Sequence, residues 1–211
     1  MGLDHVPIGP DAAPLEPPVA ALLDEADRRI NAFMRSHRNQ PVCGFVPSDF
    51  DLVFRAMRRI EADHLAPGTA FLEWGSGFGV LTCLAALLGW DAYGVEIQGE
   101  LIEQAERLAG DFDLPATFIH GTFVPTGDDD VGDTIADSAW LQLGGHDAYE
   151  EMGLDIEDFD VIFAYPWPGE HHVVETLFDR HAAVGALLLT FHGLEGLMLR
   201  RKIAGKERPR S

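Results

Sequence analysis

The segment Phe71-Leu72-Glu73-Trp74-Gly75-Ser76-Gly77-Phe78-Gly79-Val80-Leu81 constrains this chain more than any other. An apolar run ends in an acid, three glycines alternate with other residues, and an apolar helix-like run follows. Glu96 lies seventeen residues beyond Gly79, at the end of a second strand-like run from Trp90 to Val95. Strand, glycine turn, helix and acid-tipped strand form the first unit of a doubly wound α/β sheet, with a nucleoside site at its first turn. In this reading Gly75 makes the turn, Gly77 lets the main chain approach a ligand, and Gly79 starts the helix against the sheet.

The remaining periodicity agrees. It predicts strands over 69–74, 92–97, 116–120, 159–164 and 186–191. Helices are predicted over 79–89, 100–109 and 170–182. Such alternation implies a mostly parallel, three-layer α/β sheet. Two amphipathic helices precede it: one over 18–36, and one that Ser48 would cap with Asp51 as the capping-box acid. The expected organisation is a disordered Pro-rich stretch over 1–15, a helical cap over 16–66 and a core over 67–211. Only 19 residues follow His192, so the C-terminal edge of the sheet should be truncated. The N-terminal helices would cover that edge, or a second subunit would, making a homodimer.

Composition narrows the partners. Formal net charge is -20, and no Lys or Arg occurs between Leu108 and Asp179. Duplex nucleic acid needs a basic face, so it is excluded as a partner for the body of the chain. A cationic small molecule or a basic protein fits better, although acidity can serve solubility alone. Arg200 to Ser211 holds six basic side chains and one acid. An insert over 124–157 carries ten acids and no Lys or Arg. Its length marks a lid or a loose loop, with room for a short helix over 136–143. The run from Asp128 to Asp133 does not match a calcium loop, and His171-His172 has no third ligand at metal spacing, so no metal is expected. No apolar stretch reaches the ~20 residues of a membrane span. The N-terminus lacks the features of a secretion signal, and Cys43 and Cys83 read as buried free thiols, so a cytoplasmic location is expected.

Glu73 disfavours a dinucleotide. An acid beside the turn would repel a diphosphate, and Val80 stands where the third glycine of a dinucleotide site belongs. A nicotinamide-dependent oxidoreductase is therefore the weaker reading. An acid there would attract an ammonium group. The stretch E-x-G-x-G-x-G from Glu73 to Gly79, followed by Glu96, resembles the class I (Rossmann-like) methyltransferases that use S-adenosyl-L-methionine. The resemblance covers roughly residues 45–192. It implies that Glu73, Gly75, Ser76, Gly77 and Gly79 lie against the methionine part. By the same resemblance Glu96 holds the ribose hydroxyls and Ile97 packs on adenine. Thr122 stands where the family carries an acid for the adenine amino group. Phe45-Val46-Pro47-Ser48 is similar to a segment of the protein-lysine methyltransferase branch that closes over the methionine end, which brings in Pro47.

The acceptor side should be Ala164-Tyr165-Pro166-Trp167-Pro168-Gly169-Glu170-His171-His172. It resembles the (D/N)-P-P-(Y/F/W) loop of amino-methylating enzymes, with Ala164 in the polar position and Tyr165 in place of the first proline. Tyr165 and Trp167 could clamp an amine. Glu170 and His171, with His192 as a third candidate, could take its proton. Tyr165, Glu170 and His171 are thus the candidate catalytic residues. The expected activity is methyl transfer to a nitrogen of a cationic substrate, a protein lysine or a small amine. The alternative is a non-catalytic module that only binds the cofactor.

Overall fold

The computed structural model describes residues 2–9, 11–37, 45–128 and 145–205. Its centre is a seven-stranded sheet in the order β1-β7-β6-β5-β2-β3-β4. The strands are β1 (Gly2–His5), β2 (Ala70–Trp74), β3 (Asp91–Glu96), β4 (Ala116–His120), β5 (Val161–Ala164), β6 (Leu187–Phe191) and β7 (Leu197–Ile203). β2 to β6 are mutually parallel, and β7 and β1 are added antiparallel. The helices are α1 (Pro17–Ser36), α2 (Phe50–Ala62), α3 (Val80–Leu87), α4 (Gly99–Asp111), α5 (Ala148–Met152) and α6 (His171–His181).

Alternation along the central strands builds the three layers. Phe71, Val161, Phe163, Leu187 and Leu189 face one core, shared with α1, α2, α3 and α4. Leu72, Ile162, Ala164 and Leu188 face the other, shared with α5 and α6. Strands covered on both faces read as continuous apolar runs, which is why β5 and β6 are buried at every position. The helices α1 and α2 contact α3 and share its core cluster, forming part of the outer layer.

Three expectations change. Residues 2–5, expected within a disordered stretch, form β1 and pair with β7 from Gly2↔Ile203 to His5↔Arg200. The edge of β6 that was expected to need helices or a second subunit is thus covered by β7, and β7 in turn by β1. The helix α2 is capped by Asp49, not Ser48: the Asp49 carboxylate accepts from Leu52 N–H at 3.0 Å. Asp51 instead pairs with Arg55 at 2.8 Å. The first residues of the basic C-terminal stretch are structural. Arg200 lies 2.8 Å from Glu175 and the buried Lys202 lies 3.3 Å from Asp179, which joins β7 to α6. Asp128 is buried between Arg180 and His181 at the end of α6, which accounts for the first acid of the run considered for calcium. Cys43, the rest of that run, the 136–143 helix and the end of the tail lie outside the described residues. Among the described residues no cluster of metal-ligating side chains occurs and no helix is long and apolar enough to cross a membrane.

Candidate functional site

Register brings the carboxyl ends of the parallel strands side by side: Trp74 beside Val95 and Ala164, Glu96 beside His120, and Ala164 beside Thr190. A cavity of about 320 Å³ opens there, the position where open α/β sheets bind ligands. Phe45 to Ser48, Glu73 to Phe78, Val95 to Gln98, Gly121 to Phe123 and Phe163 to Pro168 all contribute to its wall, with Glu170 and Val174.

The glycine turn is held by main-chain bonds. Gly75 and Ser76 N–H both donate to Val95 O at 2.9 Å, and Gly79 N–H donates to Ser76 O at 2.7 Å. Gly75, Gly77 and Gly79 have φ of 73°, 54° and 67°, a region that side chains bearing Cβ avoid. A Cβ at Gly79 would stand 2.4 Å from the Phe118 ring and 2.8 Å from Ala105. Gly79 is therefore required for packing α3 against β4 and α4, and it does not line the cavity. A Cβ at Gly77 would stand 2.7 Å from the Phe45 ring. The close approach expected of Gly77 is thus to Phe45 of the 45–48 segment. Of the three, Gly75 is the one whose Cβ would meet nothing within 4 Å.

Two glutamates flank the turn. Glu96 is 7% exposed. One carboxylate oxygen accepts from Gly77 N–H and the other from Gln98 N–H, each at 2.9 Å. Burial raises its pKa above the ordinary carboxylate value, and those amide bonds oppose the rise. Glu73 is 3% exposed. It accepts from Thr82 Oγ1 at 2.6 Å and Thr82 N–H at 3.0 Å. Burial pushes it up to about 8, against the Thr82 bonds and with help from the Glu96 charge. Ser76 Oγ, on the cavity wall, is buried without a hydrogen-bond partner among the described residues. A buried hydroxyl awaiting a partner, an open glycine cradle and paired acids fit an amino-acid nucleoside with a positive charge.

Of the sequence-predicted residues, Pro47, Glu73, Gly75, Ser76, Gly77, Glu96, Ile97, Thr122, Tyr165 and Glu170 line one cavity. Gly79 and His171 do not. His171 starts α6, is exposed, and stacks edge-on to His192 with ring centres 5.8 Å apart. Burial and the neighbouring His171 lower the pKa of His192 below the ordinary imidazole value, and Thr190 Oγ1 lies 2.8 Å from its Nε2. Thr122 is partly engaged: its N–H donates to His146 O at 2.9 Å and its hydroxyl accepts from Val124 N–H at 3.2 Å. Sequence reasoning missed Phe50, Gln98, Phe123 and Phe163 on the wall. None belongs to a motif: Phe163 lies in β5, Gln98 and Phe123 follow β3 and β4, and Phe50 opens α2, so only the folded arrangement brings them together.

No protein-family model and no curated protein matches the chain. Solved structures do resemble it. An RNA methyltransferase from Salinibacter ruber, in complex with S-adenosyl-L-homocysteine, is 18% identical with a TM-score of 0.50, over 79% of this chain and 98% of that one. A methyltransferase from Geobacter sulfurreducens is 15% identical with a TM-score of 0.52, over 91% and 93%. The strand order, the acid-flanked glycine turn and these likenesses together give the chain the class I, Rossmann-like methyltransferase fold.

Proposed function

We propose that the chain is an S-adenosyl-L-methionine-dependent methyltransferase acting on a nitrogen of a cationic substrate, a protein lysine or a small amine. The titratable make-up of the cavity lining carries this reading. Its described lining holds three glutamates, Glu73, Glu96 and Glu170, and no Lys or Arg. Such a lining offers a phosphate no cation, and a bound sulfonium or ammonium draws a buried carboxyl such as Glu73 into its ionised form. For the same reason a cationic small molecule or a basic protein fits better than a nucleic acid, even though the Salinibacter protein is an RNA methyltransferase.

Bound in the cavity, the cofactor supplies an electrophilic methyl group on a positively charged sulfur. Glu96 spends one lone pair per oxygen on the main chain and keeps others for the ribose hydroxyls. Ile97 offers an apolar face to the adenine ring, and Thr122 retains its hydroxyl proton for a ring nitrogen. Glu73 and Ser76 Oγ face the amino-acid head, with Pro47 over it. Tyr165 and Glu170 belong to the acceptor. A nitrogen attacks only as the neutral amine, so a carboxylate that takes its proton while the tyrosine ring holds its body completes the site. The buried free thiol of Cys83 fits a reducing cytoplasm.

One observation favours a second reading, a binding module without catalysis: Ala164 occupies the wall where amino-methylating relatives place a polar side chain. The two separate on incubation with methyl-labelled cofactor and fractionated lysate, followed by mass spectrometry. Label on an amine or on lysine side chains supports transfer to nitrogen. Cofactor binding without any transferred label supports the module. Label on RNA alone defeats the substrate assignment.

A further inference from the structure

Tyr149 lies within the acidic insert, in the first turn of α5, and it does not line the cavity. Yet its hydroxyl is used on both sides. It accepts from the Trp74 indole N–H at 2.9 Å and donates to the Phe123 carbonyl at 3.0 Å. The Trp74 and Phe123 rings stack with centres 5.2 Å apart and planes 11° from parallel. Both of those residues line the cavity. Trp74 ends β2 and Phe123 follows β4, while β3, ending in Glu96, runs between these strands. One hydroxyl thus ties together two pieces of wall on either side of the strand that carries the candidate ribose acid.

The surroundings keep that hydroxyl in place. Thr122 N–H donates to His146 O at 2.9 Å, and Ala148 N–H donates to Thr122 O at 3.3 Å. The Asp147 carboxylate accepts from Thr126 N–H at 2.8 Å and from Tyr149 N–H at 2.9 Å. The turn that presents Tyr149 is therefore clipped to the same 121–126 segment that Tyr149 braces. Tyr149 itself is 5% exposed, and burial raises its phenol pKa, so it remains a hydroxyl able to donate and accept at once.

We propose that Tyr149 is a positioning residue of the cofactor site, acting through Trp74 and Phe123 to fix the wall against which the cofactor binds. This rests on the methyltransferase reading. Without the hydroxyl, a buried indole donor and a main-chain acceptor lose their partner together, and the ring and the 121–124 segment must shift to find others. A wall that shifts no longer fits a rigid nucleoside.

Calorimetric titration with S-adenosyl-L-homocysteine tests the proposal on the wild type, Tyr149→Phe, Trp74→Phe and the double variant. Tyr149→Phe should fold, as judged by circular dichroism, and bind about tenfold more weakly, the loss expected when a buried bond is broken on one side. In the Trp74→Phe background the same change should cost clearly less, because one of its two routes is already gone. A folded Tyr149→Phe protein with wild-type affinity overturns the proposal and leaves Tyr149 a packing residue. If Tyr149→Phe does not fold, the wild type decides. The Trp74 indole proton, assigned by its loss in Trp74→Phe, should exchange more slowly when the homocysteine compound is added, and unchanged exchange overturns the proposal. If the wild type does not bind the compound at all, the cofactor reading falls first.

Discussion

Binding of S-adenosyl-L-homocysteine should release a proton, and Glu73 is the reason. Its carboxyl is buried beside the glycine turn and sits at about 8. About one Glu73 in a hundred is ionised at about pH 6 and about half at about pH 8, from the definition of the pKa. The ligand's ammonium needs the carboxylate. If it binds only that form, affinity should rise up to about fiftyfold across this window, and at about pH 7 each binding event should release close to one proton. Calorimetry in two buffers of different ionisation enthalpy counts that proton. Methylthioadenosine, which lacks the amino-acid head, should release none through Glu73. Glu73→Gln keeps a carbonyl for both Thr82 bonds and removes the charge. It should flatten the pH dependence, abolish the proton release and weaken binding about tenfold or more above about pH 8. Equal proton release by the wild type and Glu73→Gln would refute the pairing of Glu73 with the ammonium group. Stability carries the opposite sign. The unfolded carboxyl titrates near 4.5 and the folded one near 8, so between them the folded state holds a proton that the unfolded state has lost. Stability then falls as pH rises through the window, by about 5 kcal/mol in all. Glu73→Gln, free of that penalty, should out-melt the wild type at alkaline pH without ligand.

Two further outcomes follow from packing. Gly79→Ala places a methyl 2.4 Å from the Phe118 ring at a φ of 67°, and should cost about 2–4 kcal/mol in a denaturant melt; a wild-type midpoint would mean that α4 and β4 yield freely. Deleting residues 2–5 strips β7 of four paired residues and bares its edge. The melting point should fall by about 4–8 °C and association should become concentration-dependent; a monomer with an unchanged melt would show that β1 contributes nothing.

The alternating core was readable because its signals are local. Glu73, the three glycines and Glu96 lie within one strand–turn–helix–strand unit, so their spacing already implies their meeting at the strand ends. Helix and strand limits came within about two residues for the same reason, since period and punctuation are properties of neighbours. Other features had no local signal. The cap of α2 moved from Ser48 to Asp49 because both are good capping residues and only the geometry of the first turn distinguishes them. His171 follows Glu170 in sequence, yet helical geometry turns one to solvent and the other to the cavity.

The sequence by itself determined the class of fold and the acids that flank its first turn, because each depends on residues a few positions apart. The tertiary structure alone decided that Gly2–His5 closes the sheet beside Leu197–Ile203, that Gly77 yields to Phe45, and that Tyr149 braces Trp74 and Phe123. These are meetings between distant segments. Each is selected by which surfaces remain uncovered and which polar groups remain unpaired once the rest of the chain has packed, and no local pattern records that.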